Sequence, residues 1–286
     1  MSKERVSDDI YVFASDVYAQ VTSGVILTPE GAIVVDTLPF PSETEEVAAF
    51  VKTHSPRGVR FVINTHSHAD HMFGNFMFGG ADVIAHRLCR QAMIKYAAQG
   101  LKEAQEQNPA LSAVIIHLPN IVFDGEVTLR LGGKTIQLIP MPGHTADSIV
   151  ALVKEDRVLF SGDAMMPVPY VVWGDVNDMI DSLRAIRKMN LDNIIQGHGE
   201  VLLRGEINET VDSSISYLHS ITQCVADAVK DGTSLRELMT LDIEKCGKSR
   251  IPLNGLVQQL HQGNLKRLYE RMAAAEANAR EAEHRN

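Results

Sequence analysis

The chain has little with which to hold a polyanion. Its 27 Lys and Arg are outnumbered by 36 Asp and Glu, the formal charge is −9 at pH 7, and the basic residues form no run. Nucleic-acid binding needs clustered cations against phosphates, so no nucleic acid is expected as a partner and a small-molecule substrate is. Cysteine is scarce as well. Cys89, Cys224 and Cys246 are odd in number, widely separated, and lack the short paired spacing of a zinc knuckle or a redox motif; they read as reduced thiols. No stretch reaches membrane-spanning length, and the opening Met1-Ser2-Lys3-Glu4-Arg5 is charged rather than apolar. No membrane association is expected, and the expected compartment is the cytoplasm. No repeat of fixed period occurs, and the single biased segment is the Ala/Glu/Arg-rich C-terminal tail, which reads as a solvated helix end.

What is present is ordinary globular material: 45% apolar and 22% charged residues in a chain of 286, long enough to bury a large core. Apolar runs at Ile10 to Ala14, Gly24 to Leu27 and Ala32 to Val35, punctuated by Pro29-Glu30-Gly31, predict an antiparallel meander. Ser42 is expected to cap a helix running to about Thr53, before a strand at Val59 to Ile63. A strand at Asp82 to Ala85 precedes a long helix from about His86 to Gln107. Strands are expected at Glu126 to Leu131, Thr135 to Ile139, Ser148 to Val153 and Arg157 to Phe160, a helix from Asn177 to Met189, and a strand at Asn193 to Ile195. Beyond Glu206 the pattern is helical, near Glu206 to Lys230, Ser234 to Leu241 and Asn254 to Glu283. Two sets of strands, each followed by helices, predict an α/β (α+β) fold with four layers, αββα, over residues 1–205, and a helical extension over 206–286, either separate or packed on the same domain.

The chemistry concentrates in His66-Ser67-His68-Ala69-Asp70-His71, directly after the predicted strand Val59 to Ile63. Imidazole nitrogens and a carboxylate suit zinc and related divalent ions, and a strand-end loop lets alternate side chains converge. The run offers two pairs of donors, enough to seed two adjacent metal sites. The plainer alternative is a polar loop in which Asp70 caps a helix. A catalytic metal needs about three protein donors and an open position. Three further candidates occupy strand-to-loop junctions beside glycine: His144 in Met141-Pro142-Gly143-His144-Thr145, Asp163 in Phe160-Ser161-Gly162-Asp163, and His198 in Gly197-His198-Gly199. Taken singly, each reads more readily as a turn, cap or loop residue than as a ligand; their shared placement in one chain with the first cluster is what favours ligation. His86 and His117 lack this setting and are not expected to be ligands.

In that order the motifs resemble the metallo-β-lactamase superfamily over roughly residues 10 to 200. The resemblance implies His66, His68 and His144 on a first metal, Asp70, His71 and His198 on a second, and Asp163 bridging both. Two zinc ions per chain are implied, with iron or manganese as alternatives. Asp36, in Val34-Val35-Asp36-Thr37, matches an early acidic position that supports the histidine loop without touching metal; a strand-ending turn residue is the other reading. The implied activity is hydrolysis of an ester, thioester, lactone or amide bond by a hydroxide held between the metals, with Asp70 or Asp163 accepting the proton. No serine or cysteine nucleophile elbow is visible. Secreted zinc β-lactamases with a similar Gly143-to-Ser148 region carry Cys where Asp163 stands, and flavodiiron proteins carry Glu where His68 stands. The carboxylate bridge resembles glyoxalase II and lactonases instead.

The segment after Asp163, from Met165 to Gly174, is apolar and proline-bearing, and holds the one Trp. It reads either as core or as a pocket wall in which Tyr170 and Trp173 touch substrate. Competing readings are a phosphoester hydrolase on the same metals, a mononuclear iron persulfide dioxygenase, and a metal-retaining binding protein. The helical extension is open to a role in the substrate entrance or in homodimerisation.

Overall fold

The central strands of this chain are apolar on both sides, and that fixes how many layers must cover them. In a computed structural model, which describes residues 1–284, every residue of β4 (Gly31–Val35) is buried. Ile33 and Val35 join one hydrophobic cluster while Ala32 and Val34 join another, the alternation a pleated strand imposes when both faces are covered. The first sheet runs in chain order: β1 (Ser2–Arg5), β2 (Ile10–Ala14), β3 (Thr22–Thr28), β4, β5 (Val59–Ile63), β6 (Asp82–His86) and β7 (Ile121–Phe123). The pairs up to β4 are antiparallel, the expected meander, and those from β4 onward are parallel.

The second sheet is ordered β13 (Val201–Leu203), β12 (Asn193–Gln196), β11 (Val158–Gly162), β10 (Ile149–Val153), β9 (Lys134–Pro140) and β8 (Val127–Leu131). Only β11 and β12 are parallel, joined through the helix α5 (Val176–Arg187). Between the sheets lies one cluster, with Ile26, Ile33 and Ile63 from the first meeting Leu138, Ile149 and Phe160 from the second. Gly24 lets them approach, because a Cβ there would collide with the Phe160 ring. Outside the first sheet α1 (Pro41–His54) packs through Val47, Phe50 and Val51. The outer face of the second is covered by α5 and by α6 (Arg204–Lys230), with α8 (Val257–His284) packed in turn on α6. The result is the expected mixed α/β, four-layer αββα arrangement with a helical C-terminal region. No helix among the described residues is long and apolar enough to cross a membrane.

Several expectations need correction. Ser42 does not cap α1: the helix begins at Pro41, after a Phe40 that makes no side-chain cap; proline at the first helical position brings the right φ, and the N–H it lacks is one that has no intrahelical partner anyway. A short α2 (Ala69–Met72) is built into the histidine run itself. The long helix expected from about His86 to Gln107 is present without a break from Arg87, as α3 (Arg87–Ala92) and α4 (Ala98–Gln107) joined by a π-helical turn at Met93–Ala97 that the sequence did not announce. The helix expected from Ser234 to Leu241 shrinks to α7 (Leu235–Leu238), with the Ser234 side chain as its cap. The last helix starts at Val257 rather than Asn254, since Leu253, Asn254 and Gly255 all have positive φ. Strands β1, β7 and β13 add to those expected. All three are short edge strands: β1 is charged, and β7 and β13, though apolar, are three residues each, too short for an alternation to announce them. Residues 285–286 of the expected extension lie outside the described residues.

Candidate metal centre

All the candidate donors leave the sheets at one rim. Asp36 follows β4, His66 to His71 follow β5, His144 lies between β9 and β10, Asp163 follows β11 and His198 follows β12. The two sheets are stitched together there: Thr22 N donates to the Gly197 carbonyl at 2.9 Å and Ile149 N to the Thr65 carbonyl at 2.9 Å. Gly162, at φ 46°, adopts the left-handed turn that swings Asp163 off its strand, against Thr65. A Cβ on Gly197 would strike the Asp163 carboxylate, so glycine is needed beside this ligand candidate.

Hydrogen bonds at the back of each ring set which nitrogen faces inward. His71 donates Nδ1–H to Asp36 Oδ2 at 2.8 Å. His144 donates Nδ1–H to the Tyr170 carbonyl at 2.7 Å, and His198 donates its own to the Ala19 carbonyl at 2.9 Å. Thr65 Oγ1 donates to Asp36 Oδ2 at 2.7 Å and accepts from His66 Nδ1 at 3.1 Å. In each of these four rings Nε2 points into the site, where it offers a lone pair once the ring is neutral. Asp36, buried and in the left-handed region at φ 57°, also accepts from Thr65 N at 2.8 Å. It thus orients His71 directly and His66 through Thr65.

The inward atoms form two groups, each with its donors within 4.8 Å of one another: His66, His68, His144 and Asp163, and Asp70, His71 and His198. Asp163 belongs to both in space. Its Oδ2 lies 3.2 Å from His144 Nε2 and 3.8 Å from His66 Nε2, and its Oδ1 lies 3.3 Å from His71 Nε2 and 3.6 Å from His198 Nε2. Asp70 Oδ2 lies 3.4 Å from His198 Nε2 and 3.8 Å from His71 Nε2. His68 completes the first group, its Nδ1 at 2.9 Å from His144 Nε2.

Divalent cations fit this arrangement. His66 Nε2, His71 Nε2 and Asp163 Oδ1 are buried and have no hydrogen-bond partner, a costly state for polar atoms that a cation would relieve. The electrostatics show the same demand for positive charge. Burial lowers the His198 pKa, yet Asp163 and Asp70 outweigh it and push the ring up to about 10. His71 is likewise raised despite burial, by Asp163, Asp70 and Asp36. His68 falls to about 4 through burial and the neighbouring His144, and burial together with His71 holds His66 well below its usual value. Asp163 stays ionised: burial raises it, but His198, His71 and His144 lower it further.

The donors open onto a cavity of about 280 Å³. Tyr170 and Trp173 both line it, as does Met166, so part of the 165–174 segment is pocket wall. His86 sits elsewhere, accepting from Leu88 N and 4.0 Å from Asp124, and His117 contributes its carbonyl to Asn75 rather than its ring to the donors. Sequence reasoning missed Tyr18, Leu253, Leu256 and Leu260, which share the cavity, and Asn264. Asn264 is fully buried on α8; it donates to the Pro169 carbonyl at 2.7 Å and accepts from Val171 N at 2.9 Å. It therefore grips the residues on either side of Tyr170, whose carbonyl orients His144. No local pattern marks an asparagine for such a task, although a polar residue on the apolar face of an expected helix is a signal to follow.

A family model described as the metallo-beta-lactamase superfamily matches residues 18–198. Beta-lactamase-like protein 2 homolog of Caenorhabditis elegans is 30% identical over 187 residues, which cover 65% of this chain and 57% of that protein. Lactamase-like protein aptB of Emericella nidulans is 29% identical over 182 residues, 61% of this chain and 50% of that protein. The chain spans about half the length of the curated relatives it matches. Among solved structures, the sec-alkylsulfatase Pisa1 from Pseudomonas sp. aligns with a TM-score of 0.74 at 15% identity, over 94% of this chain and 50% of that one. A metallo-beta-lactamase family protein from Thermus thermophilus aligns with a TM-score of 0.67 at 16% identity, over 92% of this chain and 94% of that one. At such identities the likeness concerns the fold.

Proposed function

Because the chain belongs to the metallo-beta-lactamase superfamily, we propose that it is a hydrolase holding two divalent ions, zinc by preference, that cleaves an ester, thioester, lactone or amide bond of a small molecule. The observation that carries this reading is the Asp163 carboxylate, with one oxygen toward each of two histidine-bearing donor groups. His66, His68 and His144 would hold one ion, Asp70, His71 and His198 the other, and Asp163 both. Nitrogen and carboxylate donors suit zinc, with iron and manganese as alternatives. Such ions supply Lewis acidity, which acidifies water and polarises a carbonyl oxygen.

The chain's own groups support hydrolysis by water. Among the described residues no Ser, Cys or Lys lines the cavity, and burial raises the Cys89 thiol well above its usual value, so no serine, cysteine or lysine nucleophile is at hand. Asp70 and Asp163 are held ionised by the neighbouring histidines, against the effect of burial, and are the groups placed to accept a proton. The Tyr18 hydroxyl, pushed up to about 12 by Asp70 and by burial, remains a hydrogen-bond donor beside them. A mononuclear iron dioxygenase would leave Asp70, His71 and His198 without a task, although they converge as closely as the first group. A phosphoester hydrolase has less support, since no Lys or Arg among the described residues lines the cavity. The three unpaired cysteines suit a reducing, cytoplasmic setting.

Metal analysis of protein purified without added metal should give two zinc per chain; one iron with oxygen uptake on a persulfide would overturn the reading. A panel of lactone, thioester, β-lactam and phosphodiester substrates then identifies the bond. Asp163→Ala is expected to lose bound metal and to lower kcat/KM by about 10³-fold, and full activity in that variant would sink the bridging role.

A further inference from the structure

The cavity lining is of two chemical kinds. Histidine and carboxylate groups make one. The other is apolar: Leu253, Leu256 and Leu260 share the lining with Met166, Tyr170 and Trp173, and among the described residues no Lys or Arg contributes. The leucine wall is built against backbone preference. Leu253, Asn254 and Gly255 take φ values of 53°, 54° and 87°, left-handed conformations that residues with a Cβ avoid. This turn delays α8 to Val257 and leaves the Leu253 side chain beside Gly199, next to His198: a Cβ on Gly199 would lie 3.6 Å from Leu253 Cδ2. Leu256 and Leu260 follow at a spacing of four, on one face.

The two apolar walls are also fastened to each other. Asn264 grips Pro169 and Val171, Arg271 Nη1 donates to the Gly174 carbonyl at 2.8 Å, and Gly263 packs against the Tyr170 ring, where a Cβ would come within 3.1 Å. A strained turn, held in place and placed next to the donors, is expected where a ligand must be shaped rather than where a helix merely ends.

We infer that the apolar part of this lining is a preformed slot for an uncharged aliphatic chain, so that the substrate is a neutral acyl compound. Its carbonyl lies against the carboxylate and histidine groups and its chain lies among Leu253, Leu256, Leu260 and Met166. Placing the carbonyl there rests on the hydrolase reading; the preference for a neutral apolar chain does not. Hydrolysis adds water across the acyl bond, giving a carboxylic acid and an alcohol, thiol or amine. A chain ending in a second carboxylate would bring an unpaired charge into an apolar slot.

Trp173, the one tryptophan, lines the cavity and its ring lies 6.4 Å from that of His68, so its fluorescence reports occupancy independently of turnover. The full chain is titrated with 2-butanone, 2-hexanone, 2-octanone and 7-oxooctanoate, and assayed on p-nitrophenyl esters from acetate to octanoate. Affinity for the ketones should tighten about two- to fourfold per added methylene and level off as the slot fills, with 7-oxooctanoate at least about tenfold weaker than 2-octanone. Leu256→Asp should flatten the ketone series and lower kcat/KM on octanoate about tenfold more than on acetate. A ketone series that is flat in the unaltered protein, or 7-oxooctanoate binding as well as 2-octanone, would overturn the slot. Graded ketone binding without turnover of any ester or lactone would overturn the hydrolase reading and leave the slot standing. Ester turnover with a flat ketone series would do the reverse.

Discussion

Asp36 shows how much one side chain can carry. It accepts from Thr65 N, Thr65 Oγ1 and His71 Nδ1, and an amide in its place would turn a donor toward another donor. Asp36→Asn is expected to weaken metal binding about 10- to 100-fold, measured by competition with a chelator, with unaltered affinity counting against its supporting role. Lys248 is a residue the site does not use. It is buried, donates to Ser214 Oγ at 3.0 Å, and burial lowers its pKa from 10.5 to about 8. A lysine whose pKa is lower in the folded protein than in the unfolded chain costs stability fully below about pH 8, and the cost fades as pH rises toward 10.5. Lys248→Met should therefore raise stability at pH 7 by on the order of 3 kcal/mol, less whatever the lost Ser214 bond contributed. The advantage should shrink by about pH 10 in paired thermal melts; an equal advantage at both pH values would refute the assignment. Among single residues the donors are legible in the sequence because their chemistry and glycine neighbours are local. Asn264 and Tyr18 are not, since nothing near them in the chain distinguishes them.

At the scale of elements, strands covered on both faces can be read directly: Val59 to Ile63 matches β5 residue for residue. The edge strand β1 cannot, because charged Ser2–Arg5 pairs through backbone groups that any sequence supplies. Helix ends escape the pattern where the backbone overrides periodicity, at Pro41 and at the left-handed turn before Val257. The link between α8 and the donors is the largest omission. Asn264→Ala removes the bonds to Pro169 and Val171 and should lower stability by about 1–3 kcal/mol. It should also weaken metal binding, because the Tyr170 carbonyl that orients His144 is no longer held. Chelator competition on the folded variant separates the two effects: a lower melting temperature with unchanged metal affinity would make Asn264 a packing residue alone.

For the whole molecule, the helical region after residue 205 shares a core with the second sheet. Ile207, Val211 and Leu218 lie in one cluster with Leu159, Ile194 and Ile186. A chain cut after residue 205 would expose that face, and it is expected to be insoluble or to lose cooperative unfolding; a soluble, cooperatively folding, metal-binding fragment would show the extension to be separable. By itself the sequence determined which donor atoms exist, their order along the chain, and that each stands at the end of a buried strand, since these depend on residue type and local pattern. Only the tertiary structure decided that Asp163 turns one oxygen to each donor group, which nitrogen each ring presents, and that leucines far along the chain share a cavity with His68. Those facts depend on strand order and register, which bring distant segments to one rim and which no local window of sequence contains.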